Sequence, residues 1–217
     1  MELLQLVLKA LGETLYMVLI STAMAYLLGL PLGIVLVVTD RDGLRPNPAL
    51  YRVLGTIVNI LRSAPFIILM LALIPITRFI VGTSVGSSAA IVPLVIAAAP
   101  CVARLVESSL REVDHGVIEA SLSMGASDLQ TVGVMLREAL PSLITGAAIA
   151  ITTILGYSTM AGFVGGGGLG AVAINYGYYR NNTLLMLIMV AVLVVIVEGF
   201  QAVGNLAADR LDKRKNR

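Results

Sequence analysis

Charge is scarce in this chain. Of 217 residues only 13% are Asp, Glu, Lys or Arg, while 58% are hydrophobic and the mean hydropathy is +0.93. A soluble domain of this size carries roughly a quarter of its residues charged, so the composition suits lipid rather than water as the solvent. The net charge of +2 is too small for a nucleic-acid surface. A single cysteine, Cys101, excludes a disulfide framework and any multi-cysteine metal site, and inside an apolar run it reads as a small packing residue. Tryptophan is absent, so no Trp belt anchors the chain at the membrane interfaces. The only lysines are Lys9, Lys213 and Lys215, and no Gly-x-x-x-x-Gly-Lys-Ser/Thr loop is present. Without a phosphate-binding lysine loop the chain is not its own ATPase.

Long uncharged runs are plentiful. A bilayer core of about 30 Å needs about 20 apolar residues per helix. Leu15 to Val38 is uncharged throughout, Val53 to Thr77 is interrupted only by Arg62, and Val85 to Ala103 gives a third run. Ala139 to Tyr179 is uncharged for 41 residues, too long for one helix, and its second half is rich in glycine. The reading is all-α with five spans at about 15–38, 53–77, 85–103, 143–164 and 183–207, and a non-helical or re-entrant loop after the fourth. Residues 1–12 carry Leu4, Leu8 and Leu11 at helical spacing and read as an amphipathic lead-in helix rather than a cleavable signal. Residues 13–208 are then the membrane domain and residues 209–217 a basic tail.

Basic residues orient the bundle. Arg41, Arg45, Arg52, Arg104, Arg111, Arg137, Arg210, Lys213, Arg214, Lys215 and Arg217 fall on one side, and only Lys9, Arg78 and Arg180 on the other. The positive-inside rule predicts an external N-terminus, a cytoplasmic C-terminus and a cytoplasmic loop at 112–140. Arg62 and Glu198 lie deepest in the spans, where charge is expensive. They could pair with each other, line a pathway, or snorkel; pairing or snorkelling is preferred for Arg62. Gly29 and Gly33, four apart, predict close helix approach. Pro31, Pro65, Pro75, Pro93 and Pro100 predict kinks tolerated by neighbouring helices or a cavity.

Two motif matches fail on context. Gly82-Thr-Ser-Val-Gly86 fits a hydrolase nucleophile elbow, but the one histidine, His115, falls on the opposite side of the membrane. Gly165-x-Gly167-x-x-Gly170 fits a dinucleotide fingerprint, yet no strand precedes it. Those glycines instead suit tight backbone packing.

The loop at 112–140 is the most informative segment. It has room for two short helices, the first capped by Asp114 and the second started by Ser127 or Asp128. Glu119-Ala-Ser-Leu-Ser-Met-Gly125 lies between them, with small residues at Ala120 and Gly125 and, at Gly125, freedom for a positive φ. This stretch resembles the docking loop of ABC importer permeases. Val58-Asn-Ile-Leu-Arg-Ser-Ala-Pro-Phe-Ile-Ile-Leu69, Arg78-Phe-Ile-Val-Gly-Thr-Ser84, Gly156-Tyr-Ser-Thr-Met-Ala-Gly162, Gly165-Gly-Gly-Gly-Leu-Gly170 and Asn175-Tyr-Gly-Tyr178 resemble the methionine-uptake members of that family. The likeness extends from about Glu13 to Arg210.

The resemblance implies a type I importer permease in a bacterial inner membrane, with no cofactor or metal of its own. It implies two ABC ATPase subunits, an external solute-binding protein and a second permease chain, most simply as a homodimer. Glu119, Ala120, Ser121 and Gly125 take the ATPase-docking role by this likeness, and Tyr157 and Met160 lie near the outer gate of the pathway. One departure stands out: where the family places Leu-Pro twelve and thirteen residues after the glycine, this chain has Arg137 and Glu138, with its proline at Pro141. A permease for another small solute is the nearer alternative. An ATP-independent channel or secondary transporter is a remoter one, since neither inverted repeats nor a second intramembrane acid is present.

Overall fold

A computed structural model describes residues 2–211, and among them every regular element is helical. The chain runs α1 (Glu2–Thr39), α2 (Pro48–Ser63), α3 (Phe66–Ala72), α4 (Ile74–Val81), α5 (Ser87–Arg111), α6 (His115–Ser123), α7 (Asp128–Glu138), α8 (Leu140–Ala161), α9 (Gly168–Val172) and α10 (Thr183–Leu211). Four of these, α1, α5, α8 and α10, are long and apolar enough to cross a membrane, and α2 with α3 forms a bent fifth candidate. Most of the basic tail, residues 212–217, lies outside the described residues.

Helix α5 is the axis of the bundle. Its buried residues include Leu94, Val102, Val106 and Leu110, and it packs against α1 and α8. The α1 contact depends on the two predicted glycines. A Cβ on Gly29 would meet the Ala99 carbonyl oxygen at 2.7 Å, and one on Gly33 would meet that of Ala103 at 2.6 Å. Both obstacles are backbone, so only glycine lets the two helices lie this close. Met17, Val18, Leu36, Leu94 and Ile154 complete the core. Helix α10 buries only Leu185, Met189 and Ala208, which leaves most of its surface for lipid.

Three stretches depart from the sequence reading. The lead-in and the first span form one continuous helix, because nothing between Gly12 and Leu15 interrupts the backbone ladder. The 53–77 stretch is three segments instead of one, with a bend of 101° between α2 and α3. Pro65 explains it. A residue before proline is pushed out of the helical region, and Ala64 has φ −74° and ψ 127°. After α8, the part expected to be non-helical coils again: a 3₁₀ turn (Gly162–Val164), then α9, then a π-helical turn (Ala173–Tyr178).

Helix α9 is pinned to α1. The Gly168 N–H donates to Glu13 Oε2 at 2.8 Å, and the Leu169 N–H donates to Thr14 Oγ1 at 2.9 Å. Two donors at the start of α9 are satisfied from another helix. A Cβ on Gly170 would lie 2.4 Å from the Thr159 carbonyl oxygen, so the glycine run packs backbone on backbone, as its composition suggested.

Candidate functional site

The loop between α5 and α8 folds as two short helices joined by a tight turn. Asp114 caps α6 by accepting from the Gly116 N–H at 2.6 Å. The helix ends in a Schellman arrangement: the Ala126 N–H donates to the Ser121 carbonyl at 3.2 Å, and the Gly125 N–H to that of Leu122 at 2.9 Å. That motif places its C′ residue in the left-handed region, and Gly125 sits there at φ +80°. Helix α7 starts at Ser127, whose N–H donates to Gln130 Oε1 at 2.8 Å. Pro141 stands in the first turn of α8, where its missing N–H costs nothing, so α7 ends at Glu138 and Leu140-Pro141 opens the next helix.

The four predicted docking residues do not play equal parts. Glu119, Ala120 and Gly125 are exposed at the tip. Ser121 is buried, its Oγ 3.2 Å from Thr131 Oγ1, a contact that ties α6 to α7. Beside Gly125 stand apolar side chains in the open: Met124 is 83% exposed and Leu129 85%. On a loop beyond the spans, such a patch marks a contact surface. Sequence reasoning passed over both residues, although apolar neighbours of the glycine in a polar loop were a signal it could have used. The tip is braced from behind by Arg45, whose Nε lies 2.5 Å from Asp128 Oδ2.

The second candidate region is one face of α8. Gly146, Ala150, Ile154, Ser158 and Ala161 face the core, while Ile149, Gly156 and Met160 share the opposite, exposed face. Met160 is 44% exposed. Tyr157, one turn away, points elsewhere: its ring stacks on Phe66 of α3 with centroids 4.6 Å apart and planes within 6°. Offset stacking of this kind adds order to a contact. The structure therefore brings Tyr157 against the broken second span and leaves Met160 on the open face.

Arg62 is exposed near the end of α2. Glu198 faces outward from α10. No ion pair joins them among the described residues, so the pairing entertained from sequence does not occur.

Residues 14–217 match the family described as binding-protein-dependent transport system inner membrane component. The chain belongs to this family. Among its curated members, the probable D-methionine transport system permease protein MetI of Vibrio cholerae is 50% identical over 210 residues, covering 96% of this chain and 93% of that protein. The D-methionine transport system permease protein MetI of Escherichia coli is 49% identical over 158 residues, covering 72% and 73%. Among solved structures, an inward-facing conformation of the MetNI methionine ABC transporter superposes with a TM-score of 0.95 at 45% identity, covering 96% of this chain and 97% of that one. An amino acid ABC transporter at 19% identity and TM-score 0.77 shares the fold. This membership accounts for the apolar helical bundle.

Proposed function

We propose that this chain is the membrane-spanning permease subunit of an ABC importer for methionine, energised by a separate ATPase and fed by an external solute-binding protein. The observation that carries the reading is the tip at Ala120, Met124, Gly125 and Leu129, a small-residue turn ringed by exposed apolar side chains. A cleft on a partner fits such a knob, and near identity in fold with a methionine ABC transporter permease supplies the partner's class. The substrate follows from relatives at about half identity over nearly the full chain.

The chain's own residues perform no covalent step. Movement of the ATPase pair is delivered to the α6–α7 tip, and the bundle alternates between two arrangements that differ in affinity for the solute. The open α8 face with Met160 needs a second wall, and a twofold copy of the same chain supplies one most simply. Methionine's flexible, polarizable side chain suits a plug that must reseal. The distribution of Arg and Lys puts the tip and the C-terminus in the cytoplasm.

The test is purification of the tagged chain in mild detergent from its own cells. An ATPase recovered at one copy per permease supports the reading. A chain that purifies alone as a stable oligomer refutes it.

A further inference from the structure

One polar seam runs through this bundle, and neither the docking tip nor the α8 face uses it. Glu107 of α5 is only 4% exposed, yet it is fully paired. Its Oε2 accepts from Arg104 Nη1 at 2.5 Å, and its Oε1 accepts from Arg111 Nη2 at 2.7 Å and from the Tyr51 hydroxyl at 3.1 Å. Arg111 Nη2 also donates to Tyr51 Oη at 2.8 Å and lies 2.7 Å from Asp40 Oδ2. Arg104 Nη2 donates to the Gly55 carbonyl at 3.1 Å and to Asn59 Oδ1 at 3.0 Å. Tyr51, Gly55 and Asn59 form an i, i+4, i+8 row on α2, and Arg104, Glu107 and Arg111 form the matching i, i+3, i+7 row on α5. Apolar packing adds little here, since α2 buries only Gly55 and Val58. Helix α2 is zipped to α5 by hydrogen bonds to the charged groups of α5.

The seam's ends give it a use. At one end, Arg111 closes α5, and after three intervening residues the chain enters α6. Asp40 and Arg111 share a cleft wall with His115 and Ile118 of α6. At the other end, α2 leads through the Pro65 break to Phe66, which stacks on Tyr157 of α8. Glu107 is the buried centre of this network, so losing its charge would leave Arg104 and Arg111 without the carboxylate that holds them together.

We propose that Glu107 is a positioning residue that makes α2 follow the docking tip, so that movement at α6 reaches Phe66 and Tyr157. This rests on the docking role proposed above. Glu107 acts by holding Arg104, Arg111 and Tyr51 in one body.

The experiment uses the assembled permease–ATPase complex in proteoliposomes with its solute-binding protein, and reads ATP hydrolysed per methionine accumulated. A coupling interaction of ordinary strength predicts that Glu107→Gln raises this ratio by roughly fivefold or more. The ATPase stays bound at one copy per permease, and Glu107→Asp, which keeps the charge, moves the ratio back towards the wild-type value. A merely structural role would lower hydrolysis and uptake together and leave the ratio alone. An assembled Glu107→Gln complex whose ratio stays within about twofold of wild type overturns the proposal. Should that variant fail to assemble, Asp40→Asn and Tyr51→Phe decide, since each cuts one arm of the seam: a raised ratio in either supports the role, and wild-type ratios in both overturn it. Absence of an ATPase from the wild-type complex would instead defeat the docking reading itself.

Discussion

Gly125 allows the docking tip to be tested by substitutions that separate backbone strain from bulk. Its φ of +80° strains any residue with a Cβ, but a Cβ built there meets nothing within 4 Å. Ala and Trp should therefore lose about the same stability, roughly 1–2 kcal/mol for a left-handed non-glycine residue, and Asn less. Such a loss is small beside the roughly 5–15 kcal/mol that holds a typical fold together. What differs is what the side chain does to a partner. A Trp side chain brings roughly 150–250 Å² of new surface to the closest point of approach. Forcing extra atoms into a well-packed contact costs about 1–3 kcal/mol, or roughly 5- to 150-fold in affinity. The assay is titration of the purified ATPase onto the permease in nanodiscs, with Ala, Asn and Trp at 125. The expected order is wild type, Asn and Ala close together, with Trp weaker by that factor. Equal binding by the Ala and Trp variants, or undiminished binding by Trp, would refute a close contact at this turn.

Three further outcomes are expected. Gly33→Leu places side-chain atoms where the Ala103 carbonyl stands 2.6 Å from a bare Cβ, so α1 must lift from α5; overpacking predicts about 1–3 kcal/mol lost, read as a lower Tm in detergent. Thr14→Val leaves the buried Leu169 N–H without its acceptor, at a cost of about 1–3 kcal/mol, and hydrogen exchange at 168–170 should rise relative to the rest of the chain. Met160→Ala opens the exposed face of α8 and should raise solute leak and solute-independent ATPase activity; unchanged values of both would remove Met160 from the gate.

The legible parts of this fold were those governed by local chemistry. The Asp114 cap, the left-handed glycine at 125 and the Gly29–Gly33 contact each follow from what one or two residues permit. The breaks were harder. Pro65 was visible, but hydropathy averages across a kink, so 53–77 read as one span although Ala64 is forced out of helical geometry there. Residues 168–178 were read as loop from their glycines, because their helical turns depend on Glu13 and Thr14, distant in sequence, for their first acceptors. The polar seam was missed for a related reason. Arg104 looked like the end of the third span, whereas α5 continues to Arg111, its arginines paired with Glu107 and Asp40 and hydrogen-bonded to α2. At the site, the sequence could name Ser121 but not its direction, since only the pairing with Thr131 turns it inward.

The central claim is that this chain passes methionine inward under the drive of a separate ATPase. Uptake of labelled methionine into proteoliposomes holding the permease and its ATPase, with the solute-binding protein on the far side from ATP, tests it most directly. The account predicts accumulation that requires ATP on the docking-tip side and is reduced in the Gly125→Trp chain. Methionine entry that proceeds without ATP, or an assembled complex that hydrolyses ATP yet accumulates no methionine, would contradict it.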